Sequence, residues 1–146
     1  MGDLIAVGEG VTDLKPGDRV FHGGNHESVS RVNVPVFLLP PAVADQEALF
    51  LELGFTALNG VRHAGIALGE TVLVAGLGVV GQLAAEWSRL AGALRVVVAD
   101  LSERRIEIAL GLGADDAVRT ATEDLGARGR EMTGGRGFDV VIEATG

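Results

Sequence analysis

The chain has 146 residues, the size of one ordinary domain or of parts of two. With 47% hydrophobic, 22% charged and only 4% aromatic residues it is globular, and its core must be built from aliphatic side chains. The net charge of −8 disfavours nucleic-acid binding, and the absence of Cys rules out disulfides, thiolate nucleophiles and Cys-held metals.

Residues 1–44 read as short strands joined by turns. Leu4–Val7 is expected to be a strand, Pro16-Gly17-Asp18 a turn, and Arg19-Val20-Phe21 the start of a second strand. His22–Ser28 is polar and contains glycines, so a loop is expected, followed by a strand over Ser28–Val36. His22 and His26 are four apart with Glu27 adjacent, which invites a metal reading; the intervening Gly23-Gly24-Asn25 argues against the helix that reading needs. His63, beside Arg62, is expected to be a solvated or capping residue. After the break at Pro40-Pro41, a helix is expected from Asp45 through Leu53, interrupted at Gly54 and resuming over Phe55–Ala64.

The next stretch is more specific. Thr71–Ala75 is a short, β-branched apolar run that reads as a strand buried on both faces. Gly76-Leu77-Gly78-Val79-Val80-Gly81 follows, and then a helical pattern from Gln82 to Ala91. Strand, G-x-G-x-x-G turn and helix are the parts of a dinucleotide-binding unit. Gly76 allows a sharp turn, Gly78 allows a pyrophosphate to approach the backbone, and Gly81 allows the helix to pack close to the strand. Val96–Ala99 reads as the second strand and ends in Asp100, nineteen residues after Gly81. A carboxylate at that strand tip can accept hydrogen bonds from both hydroxyls of an adenosine ribose. It can equally cap the helix that follows. That helix is expected over about Ser102–Leu110, a third strand over Gly113–Val118, a polar helix over 121–132 and a fourth strand over Phe138–Ala144.

The segments VGEGVTDLKPGDRV, GETVLVAGLGVVGQLA, RVVVADLSERR, LGLGADDAV and GGRGFDVVIEATG, in this order and spacing, resemble the medium-chain dehydrogenase/reductase family. The similarity is greatest to its zinc-dependent alcohol and polyol dehydrogenases and covers essentially the whole chain. It implies an α/β fold: an incomplete Rossmann-type doubly wound parallel sheet, strands 1–4 in the order 3-2-1-4, preceded by a remnant of a GroES-like β-barrel. The implied parts are a partial barrel at 1–44, linking helices at 45–68 and a partial NAD-binding domain at 69–146. Gly76, Gly78 and Gly81 match the family's fingerprint glycines. Val79 would offer its N–H to the pyrophosphate and Val80 would back the nicotinamide. Asp100 matches the acid that selects NAD, and Arg105 falls where members place a basic residue near the adenosine ribose. Thr56 falls where a Thr packs against nicotinamide.

Glu52, on position alone a solvated helix residue, falls where the family has its third catalytic zinc ligand. The family's other two ligands, a Cys and a His, correspond to positions before Met1, so zinc is expected only in a full-length protein. The structural-zinc lobe of many members has no counterpart here. The resemblance implies hydride transfer between a small-molecule alcohol or ketone and NAD, with this chain alone inactive and the full-length protein a homo-oligomer. A non-catalytic dinucleotide-binding module and a zinc-independent, quinone-reductase-like NADPH enzyme are the alternatives; Asp100 speaks against the second, because it would repel a 2′-phosphate. No nucleic-acid or membrane partner is expected. The longest uncharged run, Thr71–Ala85, is too short to cross a bilayer, Asp3 and Glu9 break up any leader, and a cytoplasmic location is expected.

Overall fold

The computed structural model of the chain describes residues 1–33 and 35–146, in two compact units, Met1–Glu52 and Leu53–Gly146.

The first unit holds three very short strands, β1 (Gly2–Asp3), β2 (Arg19–Phe21) and β3 (Phe37–Leu38), in an antiparallel sheet ordered β1-β2-β3. The strand expected over Leu4–Val7 is displaced toward the terminus. Leu4 still exchanges backbone bonds with Asp18 and Gly17, but Pro16 has no N–H and Gly17 turns the chain with φ +89°, so pairing ends there. Ile5, freed from any partner strand, is exposed. The strand expected over Ser28–Val36 includes Val34, which lies outside the described residues. The described residues of that span carry no strand, and pairing begins only after Pro35, at Phe37. Proline cannot donate to a ladder, which places the strand start beyond it. Among the described residues of this unit, Val20, Leu39 and Ala48 are the buried apolar ones. Arg19 donates to the Val43 carbonyl and lies 3.4 Å from the Asp45 carboxylate, fastening β2 to the start of the short helix α1 (Asp45–Ala48). Helix α2 (Leu51–Ala64) begins at Leu51, and the chain does not break at Gly54 as expected. The interruption falls earlier, where Phe50 donates to Glu47 in a tight turn. Gly54 has open space around its Cα, so the helix tolerates it at a propensity cost alone.

The second unit is a four-stranded parallel sheet in the order β6-β5-β4-β7, formed by β4 (Thr71–Ala75), β5 (Arg95–Asp100), β6 (Asp116–Arg119) and β7 (Val140–Glu143). Alternation along the strands divides its core. Val72, Val74, Val96 and Val98 face Ala57 and Val61 of α2, Ala84 and Ala85 of α3 (Val79–Leu90) and Ile106 and Ala109 of α4 (Glu103–Gly111). Leu73, Val97, Ala99 and Val118 face the other way, onto Leu125 and Met132 of α5 (Leu125–Met132) and onto Phe138. Both faces being covered is why these strands are apolar runs rather than alternating ones. The fold is α/β with a Rossmann-type, doubly wound parallel sheet.

Local details differ from expectation. Helix α3 begins at Val79 with Gly78 as its N-cap, so Gly81 lies inside the first turn. The third strand starts at Asp116, because Gly113 at φ +104° belongs to the turn that ends α4. Helix α5 starts at Leu125, where the Asp124 side chain accepts the Ala127 N–H at 2.6 Å; the preceding residues form a turn around Arg119. The fourth strand pairs with β4 alone, and Val141 is 58% exposed. An exposed apolar stretch on an edge strand, here with its charge only at the Glu143 end, is a template for another chain. The chain is therefore expected to self-associate through β7, and Val141→Lys to shift it toward monomer. Size-exclusion chromatography with light scattering checks this; a monodisperse monomer of the unmodified chain would contradict it. No helix among the described residues is long and apolar enough to cross a membrane.

Candidate functional site

The site lies in the second unit, where the sheet changes direction. From β4 the chain winds outward through β5 to β6, then returns by α5 on the opposite face to pair β7 with β4. Ligands of open α/β sheets bind beyond the carboxyl ends of strands at such a switch. A cleft of about 690 Å³ opens there, lined by Gly76, Gly78, Asp100 and Arg105 together with Ser102, Thr145 and their neighbours.

The three glycines meet different constraints. Gly76 has φ +87°, and a Cβ on it would come within 2.7 Å of the Ala144–Thr145 backbone. A Cβ on Gly81 would lie 1.8 Å from the Gly76 carbonyl oxygen, so α3 can approach β4 only without one. Gly78 is the opposite case: its φ is −64° and a Cβ there would meet nothing within 4 Å. Neither the backbone nor packing requires glycine at that position. The open space at the start of α3 is what a phosphate approaching the first-turn N–H groups would use. Val79 is exposed and Val80 half-buried in that turn.

Asp100 is almost fully buried at the end of β5. Its Oδ2 accepts the Leu77 N–H at 2.7 Å and its Oδ1 accepts the Ser102 N–H at 2.7 Å. Arg105, on the first turn of α4, places Nη1 3.7 Å from the same Oδ2. Asp100 therefore braces the glycine turn and the entry to α4 at once, though the N-cap of α4 is Ser102. Burial pushes its carboxyl pKa up, but the two backbone N–H groups and the Arg105 guanidinium outweigh this and hold it below the usual range. A carboxylate with a depressed folded pKa stabilises the fold above its unfolded pKa, and that contribution is lost as pH falls through the folded value. The expected window is below about pH 4. The drop in melting temperature with acid should be shallower in Asp100→Asn than in the unmodified chain; parallel profiles would contradict this.

The remaining candidates lie elsewhere. Thr56 is exposed on α2 and does not line the cleft, and Glu52 is exposed at the end of the first unit. His22 accepts the Gly24 N–H through Nδ1 at 3.0 Å, as a loop residue does, and His63 pairs with the Asn59 carbonyl one helical turn away at 2.8 Å. Among the described residues no group of three His, Asp or Glu is placed to hold a metal ion.

Residues 79–146 match the family model described as zinc-binding dehydrogenase. The chain is 34% identical to a D-guloside 3-dehydrogenase of Escherichia coli K12, an alignment covering all of this chain and 43% of that protein. It is 31% identical to the (R,R)-butanediol dehydrogenase of Bacillus subtilis, over 99% of this chain and 50% of that one. The crystal structure of 2R,3R-butanediol dehydrogenase from Bacillus subtilis superimposes with a TM-score of 0.79 at 29% identity, over 99% of this chain and 50% of that chain. The chain belongs to the zinc-type medium-chain dehydrogenases/reductases. It spans half or less of the length of these curated relatives.

In this dehydrogenase segment, several cleft residues escaped the reading of the sequence. Leu77 contributes a backbone N–H, which no side-chain pattern can reveal. Ala144 and Thr145 enter because β7 lies beside β4; their position just after a strand at the switch point was the available signal. Glu143 accepts both the N–H and the hydroxyl of Thr145, which draws its carboxyl pKa down and fixes the threonine at the cleft rim.

Proposed function

We propose that this chain is the NAD-binding part of a zinc-dependent alcohol or polyol dehydrogenase, with residues 69–146 forming the cofactor domain, 45–68 linking helices and 1–44 part of a GroES-like barrel. The observation that carries this reading is the pairing, in one cleft, of an unfilled space at Gly78 with the buried carboxylate of Asp100. A carboxylate offers about four lone-pair directions. Two are used by Leu77 and Ser102, which leaves acceptor capacity for the ribose hydroxyls of NAD. The N–H groups at the start of α3, Val79 among them, would receive the pyrophosphate, with the helix dipole favouring its charge. Val80 would back the nicotinamide, Thr56 would pack near it, and Arg105 would flank the adenosine ribose. When bound, the nicotinamide supplies the hydride acceptor; the protein contributes alignment.

The zinc of the proposed enzyme does not fit this chain by itself. A catalytic zinc needs three protein ligands, and Glu52 would contribute one within a longer protein. D-Guloside and butanediol, named for two relatives, support an alcohol or polyol as substrate. These names and the family match favour this reading over a non-catalytic module or an NADPH-dependent quinone reductase.

Calorimetric titration of the chain with NAD and NADP, combined with elemental analysis after dialysis, tests the proposal. NAD binding preferred over NADP, with no stoichiometric zinc, is the expected result. Failure to bind either nucleotide would overturn the cofactor reading, and one tight zinc per chain would overturn the assignment of Glu52.

A further inference from the structure

Gln82 follows directly on the last glycine of the turn and is half-buried in the first turns of α3. Its Nε2 donates to the Arg105 carbonyl oxygen at 2.8 Å and reaches the Leu77 carbonyl oxygen at 3.4 Å. Its Oε1 is buried with no partner. Two carbonyls need a donor between them, so the amide is oriented by its nitrogen and its oxygen goes unpaired.

These contacts close a ring that includes three residues of the cleft wall, Leu77, Asp100 and Arg105. Leu77 donates its N–H to Asp100 Oδ2 at 2.7 Å, and Arg105 Nη1 lies 3.7 Å from that oxygen. The Arg105 backbone is tied to Gln82, and Gln82 returns to Leu77. Arg105 is thus located twice, by its guanidinium on Asp100 and by its carbonyl on Gln82. The first tie is weak at that distance, since the guanidinium is largely exposed and screened by water. The second is a well-formed hydrogen bond to the backbone of the helix turn that carries the arginine.

We propose that Gln82 is the positioning residue that keeps Arg105 turned onto Asp100, and that it thereby sets how strongly the cleft discriminates NAD from NADP. This rests on the reading of the cleft as an NAD site. An arginine beside the ribose can receive a 2′-phosphate, while an aspartate at the strand tip repels it. Held onto Asp100, the guanidinium has its charge partly matched and is directed away from a phosphate. Released at its backbone, it can leave the carboxylate and meet the phosphate, so NADP gains relative to NAD.

The test compares NAD and NADP affinities by calorimetry in the unmodified chain, Gln82→Met, Arg105→Met and the double variant, with a thermal melt of each. Methionine keeps the reach of glutamine and removes the donor; Gln82→Leu serves the same purpose should the first variant not fold. The NAD-to-NADP affinity ratio should narrow about fivefold in Gln82→Met, the equivalent of one neutral hydrogen bond. Because Gln82 acts through Arg105, the same substitution should leave the ratio unchanged in the Arg105→Met background. A purely structural role would lower both affinities together and leave their ratio intact, which would overturn the proposal. An equal narrowing with and without Arg105 would overturn it as well. If the unmodified chain prefers NAD and Gln82→Met keeps the same NAD-to-NADP ratio, only the role of Gln82 falls. If the unmodified chain binds neither nucleotide, the cofactor site falls and this inference with it.

Discussion

Replacing Gly81 with Ala is expected to destabilise the parallel-sheet unit by about 3 kcal/mol or more, the upper end of what overpacking costs. The added Cβ would sit 1.8 Å from the Gly76 carbonyl oxygen and 2.9 Å from its carbon. Relief would require moving either α3 or the turn, and neither is free. Gly76 already occupies φ +87°, with its N–H bonded to the Ala99 carbonyl at 2.8 Å. On the helix side, Ala84 and Ala85 are packed into the sheet, so a shift of α3 opens the core. Gly78→Ala is the matched control, three residues earlier. Its Cβ meets nothing, and it should cost about 1 kcal/mol or less, the price of a poorer N-cap. Its effect should appear instead as weakened NAD binding. Denaturant midpoints of the two variants distinguish the roles; equal midpoints would show that close helix–strand packing does not govern Gly81.

The second large effect is expected at Asp100. Asp100→Ser should shift the NAD-to-NADP affinity ratio toward NADP by about tenfold or more, because the like-charge repulsion of a 2′-phosphate disappears. Stability should fall in the same variant. The shorter serine cannot reach both the Leu77 and Ser102 N–H groups, and a buried donor without its acceptor costs about 1–3 kcal/mol. The two effects separate experimentally, one in cofactor titrations and the other in a melt without cofactor. An unchanged ratio would remove Asp100 from cofactor selection, and an unchanged melting temperature would contradict its bracing of the glycine turn.

Much of the parallel-sheet unit can be read from local pattern. Thr71–Ala75 and Val96–Asp100 are strands because β-branched runs bounded by polar or glycine positions suit a sheet covered on both faces. The order 3-2-1-4, which the family resemblance implied, is the one the sheet adopts, and crossover connections of one hand leave few arrangements for alternating strands and helices. The N-terminal unit was less legible. Its strands have two or three residues, too few for periodicity to register, and their ends depend on which partner residues can still donate a bond.

What the amino-acid sequence determined by itself was the set of elements in the second unit, the glycine turn between β4 and α3, and the acid at the tip of β5. Each depends on residues adjacent in the chain, and backbone sterics, apolar alternation and helix capping act over that range. What only the tertiary structure decided was how distant groups share one cleft. Asp100 reaches Leu77 across 23 residues. The backbone at Ala144 and Thr145 comes to within 2.7 Å of the place a Gly76 Cβ would take, and Gln82 spans from the glycine turn to Arg105. These contacts arise from strand register and from the close approach of α3 to β4 at Gly81. A residue pattern contains neither until the sheet is assembled.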